Sequence, residues 1–212
     1  MPTKISGSSL NSYWQYALWL AVITILYNLV EGLVSVFFGY SDESLSLFGF
    51  GLDSFIEVLS GVGILIMVMR ISRYPDSERS GSERAALRLT GLSFWLLGAG
   101  LAVTAIFNLV TNHKPETSLT GLIISFISII AMWALVSEKR RVGRKLDSAP
   151  ILADANCTMV CIYMSIVLLV ASLIYQFTGF GFTDSLGALG LIYFSVSEGR
   201  ESFEKAAELR DE

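Results

Sequence analysis

Long apolar stretches alternate with short polar connections along the whole chain. A helix needs about 20 mostly apolar residues to cross the hydrocarbon core of a bilayer, at a rise of about 1.5 Å per residue. Six stretches come close to or exceed this length, at positions 14–38, 45–69, 89–111, 118–137, 151–177 and 182–197. The pattern predicts an all-α membrane protein, with residues 1–212 forming a single domain of six transmembrane helices.

The composition supports a membrane protein and excludes other classes. Apolar residues make up 53% of the chain and charged residues only 16%, with a mean hydropathy of +0.59. The first stretch is too long for a signal-peptide core, so we expect it to remain in the mature protein. Because no basic cluster is interleaved with aromatic residues, we expect no nucleic-acid partner. The lipid bilayer is the expected surrounding, and the chain is not expected to be an enzyme.

Basic residues predict the orientation of the helices. Of the fifteen Lys and Arg residues, all except Lys114 lie before the first stretch, in the predicted loops 70–88 and 139–145, or after the last stretch. Positively charged segments stay on the cytoplasmic side of a membrane. We therefore expect both termini in the cytoplasm and a multi-pass protein of the cell membrane, either plasma or inner.

Five acidic residues interrupt the apolar stretches, although these stretches contain no Lys or Arg that could neutralise them. They are Glu31, Asp53, Glu57, Asp154 and Asp184. An uncompensated carboxylate in hydrocarbon is costly, so an intramembrane acid indicates a functional site. Protons or a bound cation are the two expected neutralising partners. A site that alternates between protons and a metal ion could work as an exchanger.

Two pairs of residues have the spacing of metal ligands on a helix. Asp53 and Glu57 are four residues apart, as are Cys157 and Cys161, so each pair presents two ligands from one helical face. Carboxylate and thiolate ligands together suit zinc or cadmium better than magnesium or calcium. The spacing predicts a divalent metal site between the second and fifth helices. Since four negative charges exceed those of one divalent ion, either one or two groups stay protonated or one is not a ligand.

The other acids and the thiols admit further interpretations. At 1.5 Å per residue, Glu57 and Cys161 are the cross-helix pair best matched in depth, and Asp53 and Cys157 are the worst matched. Polar side chains also join membrane helices through hydrogen bonds, and free cysteines often serve as small buried apolar residues. Asp154 would mark a cytoplasmic entrance, whereas Glu31 and Asp184 would line the outer exit or hold protons.

Three segments resemble the cation diffusion facilitator family of zinc transporters. They are residues 44–60, which carry Asp53 and Glu57 after an earlier Glu31-Gly32 pair, residues 153–161, and residues 183–190. The resemblance implies a four-ligand transport site at Asp53, Glu57, Cys157 and Cys161, with metal leaving the cytoplasm in exchange for protons. Cysteines stand where the family usually has His and Asp, and Glu57 stands where it has Asp. These departures favour softer ions such as cadmium.

The resemblance also bears on assembly. Family members usually have a cytoplasmic metal-binding domain after the last helix, whereas only about a dozen residues follow the last helix here. We therefore expect a short form that lacks this domain. If it is a homodimer, as the resemblance implies, its helices must supply more of the interface.

Three functions from different classes follow from these residues. The first is a proton-coupled exporter of a zinc-like divalent cation. The second is a metal-binding membrane sensor or regulator that does not transport. The third is a membrane thiol oxidoreductase using Cys157 and Cys161, which is disfavoured because the chain has no further cysteine pair to pass electrons onward.

Overall fold

The structure is a computed structural model that describes residues 7–41, 45–73, 79–111, 119–178 and 182–211. Every secondary-structure element in these ranges is an α-helix. The helices are α1 (Gly7–Ser41), α2 (Leu45–Arg73), α3 (Arg79–Thr111), α4 (Leu119–Leu146), α5 (Ala149–Thr178) and α6 (Phe182–Asp211). The predicted six-helix, all-α membrane fold is confirmed.

Several helices have the length and hydropathy of membrane spans. Within the described ranges, three stretches are long and apolar enough to cross a bilayer, namely Ser12–Ser41, Leu47–Arg73 and Ser80–Phe107. The first half of α5, Ala149–Tyr163, is a shorter apolar helix. The chain is therefore a multi-pass membrane protein, with helices in the order that hydropathy predicts.

The helices extend beyond the predicted spans, which corrects two predicted loops. Residues 79–88 belong to α3, and residues 139–145 belong to α4. Hydropathy marks where a helix leaves hydrocarbon, but the helix itself continues until a local backbone signal ends it. For α4 that signal is Asp147, whose φ of 47° is left-handed, followed by a hydrogen bond from Ser148 N to Gly143 O of 3.0 Å. This is a common way for a helix to end.

Apolar side chains cover the outside of the bundle, and polar side chains lie inside it. Leu33 and Phe37 on α1 and Trp133 on α4 are each more than 60% exposed. Thr24 on α1 and Thr90 on α3 are fully buried. Such an arrangement suits a lipid solvent, because the outer surface makes no hydrogen bonds and the polar groups face one another.

Three helix pairs make the most extensive contacts: α1 with α2, α3 with α6, and α4 with α5. Glycines allow the first pair to pack closely. A Cβ atom on Gly51 of α2 would lie only 2.9 Å from the carbonyl oxygen of Gly32 on α1. The absence of a side chain at Gly51 thus lets the two backbones meet six residues before Glu57.

Candidate metal centre

The turn between α4 and α5 places Lys139 opposite Asp154. Only Asp147 and Ser148 separate the two helices, so α5 runs back alongside α4. Lys139 lies eight residues before Asp147, and Asp154 lies seven residues after it. At 1.5 Å per residue, both side chains therefore leave the helices about 10–12 Å from the turn.

Lys139 is a buried cation at the centre of the bundle. Its side chain is 3% exposed, and its Nζ atom lies 2.8 Å from Asp154 Oδ2 and 3.8 Å from Glu57 Oε1. It also donates a hydrogen bond of 2.8 Å to Thr158 Oγ1. The prediction that no basic residue neutralises the intramembrane acids is therefore wrong, and so is the placement of Lys139 in a loop. Lys139 lies two residues after the apolar stretch 118–137, so it was not among the residues expected inside the membrane. Its side chain nevertheless extends into the bundle.

A polar network around this lysine spans four helices. The Thr158 hydroxyl on α5 donates a hydrogen bond to Glu57 Oε1 on α2. Asp154 Oδ1 accepts a hydrogen bond of 2.6 Å from Ser60 on α2, whose hydroxyl also lies 2.9 Å from that of Thr90 on α3. Because hydrogen bonds between buried groups are strong in a low-dielectric interior, the network fixes α2, α3, α4 and α5 relative to one another.

Glu57 is the predicted ligand that this network most clearly positions. Its side chain is 1% exposed. One carboxylate oxygen, Oε1, faces Thr158 and Lys139, whereas Oε2 is buried and accepts no well-formed hydrogen bond from a described residue. A buried acceptor without a donor is costly. Glu57 therefore has one oxygen held by the protein and one available to a further partner.

The other predicted ligands are also buried. Asp53 is 8% exposed, and both thiols are reduced and almost fully buried. Asp53 and Glu57 each lie within electrostatic range of Cys157 and Cys161. In the described part of the chain, however, no three His, Cys, Asp or Glu side chains are grouped closely enough to hold a metal ion. The four-ligand site remains a prediction.

The two thiols have different apolar neighbours. Cys157 belongs to a cluster with Phe50 and Phe94, which faces α2 and α3. Cys161 belongs to another cluster with Met132 and Val136, which faces α4. Both environments also suit a small apolar side chain, so packing alone leaves the role of the cysteines open.

Glu31 lies in a second polar cluster on α1. Tyr27 donates a hydrogen bond of 2.9 Å to Glu31 Oε1, and Ser54 on α2 donates one of 2.9 Å to Oε2. Since Ser54 follows Asp53, this cluster lies beside the predicted ligands. The side chain of Asp184, the other acid predicted near the outer end, lies outside the described residues.

A polar stripe runs along α1 into the bundle. Thr24, Asn28, Glu31 and Ser35 follow one another at helical spacing and are all buried. Among the described residues, the side chains of Thr24, Asn28 and Ser35 have no hydrogen-bond partner. Buried polar groups that lack protein partners are typical of places occupied by water or ions.

Four members of the network were not predicted from the sequence: Lys139, Thr158, Ser60 and Thr90. A signal for Lys139 does exist, because it lies on the same helical face as the buried residues Met132, Val136 and Leu146. A lysine on a buried apolar face needs an acidic partner. For Thr158, the only signal is its position one turn after Asp154, which a hydroxyl on any membrane helix could share.

The fold and this site together define a class of protein. Membrane helices that direct carboxylates and a lysine into their interior are typical of proteins that move ions or substrates. The family model of the cation efflux transmembrane domain matches residues 21–209. The chain therefore belongs to the cation efflux family, which is the family its motifs resemble.

Individual relatives are distant but cover most of the chain. It is 27% identical over 184 residues to the cation-efflux pump FieF of Klebsiella pneumoniae, and 26% identical over 174 residues to transmembrane protein 163 of Xenopus laevis. An uncharacterized transporter of Methanocaldococcus jannaschii is 24% identical over 172 residues. These matches cover 84%, 82% and 79% of this chain, but only 61%, 61% and 60% of the relatives. The chain thus spans about 60% of the length of each relative.

Proposed function

We propose that this protein transports a divalent metal cation, most suitably zinc or another borderline-to-soft ion such as cadmium, out of the cytoplasm in exchange for protons. The transport site consists of Asp53, Glu57, Cys157 and Cys161. The observation that carries the proposal is Glu57 Oε2, a buried carboxylate oxygen without a well-formed hydrogen bond, in a member of the cation efflux family. A bound cation would supply the partner that such an oxygen lacks.

The positions of α2 and α5 support a site between these two helices. Glu57 on α2 bonds Thr158 on α5, and the thiols of Cys157 and Cys161 lie on either side of Thr158 in the chain. The Cys161 thiol already lies close enough to Glu57 to interact with its carboxylate. Thiolates beside carboxylates would favour zinc or cadmium over magnesium.

The polar stripe on α1 supports a path for ions beside this site. Glu31 joins the stripe to α2 through Ser54, which follows the predicted ligand Asp53. Water in this region would allow protons and hydrated metal ions to reach carboxylates that are otherwise surrounded by apolar side chains. Glu31 and Asp184 would hold protons or line the outer exit, and Asp154 would lie nearer the cytoplasmic side.

Measuring metal flux into proteoliposomes tests the function. We expect the purified chain, reconstituted in vesicles with an acidic lumen, to take up Zn²⁺ and Cd²⁺ several-fold faster than vesicles without a pH gradient, because outward proton flow drives exchange. A protonophore should remove the difference, and protein-free vesicles should show neither rate.

Two other results would each change the conclusion. Flux that does not depend on the gradient would contradict proton exchange while retaining transport. A folded protein that binds metal without any flux would contradict transport and favour a metal-binding sensor or regulator. Cross-linking in native membranes would separately test the proposed homodimer.

A further inference from the structure

Lys139 is the one charged member of the buried network for which the proposed metal exchange provides no role. It lies on α4, whereas the proposed ligands lie on α2 and α5. Its Nζ atom is nonetheless only 3.8 Å from Glu57 Oε1. Retaining a buried charge beside a cation site is costly unless the charge has a partner, so its presence calls for a physical account.

An ammonium and a divalent ion cannot both approach the same carboxylate closely at low cost. Two like charges a few ångströms apart repel strongly where water is excluded. With Lys139 in this position, a metal ion bound to Glu57 would lie within a few ångströms of Nζ. Binding therefore requires the ammonium to withdraw from Glu57.

The structure provides a place for the ammonium to withdraw to. The contact with Asp154 Oδ2 is 2.8 Å, a full ångström shorter than the contact with Glu57, and the bond to Thr158 is equally short. A gap of about 10 Å³, lined by Lys139 and Asp154 together with Ala17 and Ile64, lies on the α1 side of the pair. This gap is too small for more than a single water. The ammonium therefore has little room to move past Asp154, and it stays paired with Asp154 when it leaves Glu57.

We propose that Lys139 is a positioning residue that acts as a tethered counter-cation of the metal site. In the metal-free protein its ammonium is shared between Asp154 and Glu57, and an arriving metal ion displaces it from Glu57. This inference rests on the proposed metal site. The Lys139–Asp154 pair is then neutral, so it adds no net charge beside the metal ion. Lys139 weakens metal binding and thereby favours release.

Metal affinity in two matched variants tests this role. Asp154→Asn removes the charge of the carboxylate nearer to Lys139, so the ammonium pairs with Glu57 instead. A metal ion must then displace the ammonium from Glu57. Lys139→Met/Asp154→Asn differs from the first variant only in lacking the ammonium, and it removes both charges of the closest ion pair. We expect Cd²⁺ to bind about tenfold more weakly to Asp154→Asn than to the double variant, with the native protein between them.

The measurement is calorimetric titration of CdCl₂ into the purified full-length variants in detergent, after thermal melting has shown that each is folded. Arg144→Met is the control, because it removes an exposed positive charge from the same helix and should leave the affinity unchanged. Equal affinities in Asp154→Asn and the double variant would overturn the role of Lys139, even if their melting temperatures differ. Absence of binding to the folded native protein would overturn the metal site itself, and with it this role.

Discussion

Replacing Glu57 with glutamine should reduce metal transport to the rate of protein-free vesicles. Glutamine has nearly the same shape, and its oxygen can still accept the hydrogen bond from Thr158, so the contact between α2 and α5 remains. What is lost is the negative charge that the metal ion needs. Since even residues outside the ligand shell can change metal affinity by about 10–100-fold, loss of a charged ligand should cost at least about 100-fold. Zn²⁺ uptake into proteoliposomes under a pH gradient measures the effect.

Glu198→Gln is the matched control for this substitution. Glu198 on α6 also accepts a hydrogen bond from α5, through Asn156 at 2.9 Å, but it is not a predicted ligand. The Glu198→Gln variant should transport metal at close to the native rate. Native-like flux in Glu57→Gln would show that metal does not pass through this carboxylate.

Lys139→Met should produce the largest loss of stability of any single substitution in the network. Methionine is of similar length, but it leaves Asp154 buried without its cation at 2.8 Å. Breaking a buried ion pair by removing one partner typically costs about 3–5 kcal/mol, because the remaining charge is uncompensated. Denaturant unfolding of the metal-free protein in detergent, followed by circular dichroism, should show a decrease of this size in the free energy of unfolding.

Two comparisons separate this effect from a general effect of lost charge. Lys205 forms an exposed ion pair with Glu201 one helical turn away, so Lys205→Met should cost no more than about 0.5 kcal/mol. Adding Asp154→Asn to Lys139→Met should recover most of the lost stability, since the carboxylate nearest to Lys139 is then uncharged. Equal costs for the two lysines would mean that Lys139 is solvated rather than paired.

The number and order of helices could be predicted because a bilayer imposes one length on every span. Apolar stretches of about 20 residues have no alternative use in a chain of 212 residues. The ends of the helices could not be predicted in the same way. The basic segment 139–145 looked like a loop because it is polar, but it is the last part of α4, which ends only at the left-handed Asp147.

The candidate site was only partly predictable for a related reason. Helical spacing places Asp53 and Glu57 on one buried face of α2, and the structure buries both. Spacing along one helix, however, gives no information about the residue that faces it from another. The approach of Lys139 and Thr158 to Glu57 depends on the tight turn after α4 and on the register of α5 against α2.

The same limitation applies to the cysteines. Their spacing predicts two thiols in one direction, and both thiols are buried near Glu57. Yet each packs in a separate apolar cluster, so the depth argument that pairs Glu57 with Cys161 stays a prediction. The energy of the bonds between a metal ion and these side chains decides whether the carboxylates and thiols come together. The spacing of residues in the sequence does not determine that energy.

Zinc K-edge X-ray absorption of the native protein loaded with one equivalent of Zn²⁺ tests the mixed carboxylate–thiolate site most directly. The proposed site predicts sulfur at about 2.3 Å together with oxygen at about 2.0–2.2 Å in the same coordination shell. The sulfur contribution should disappear in the Cys157→Ser/Cys161→Ser variant. A native spectrum with only oxygen or nitrogen around zinc would contradict the proposed ligand set.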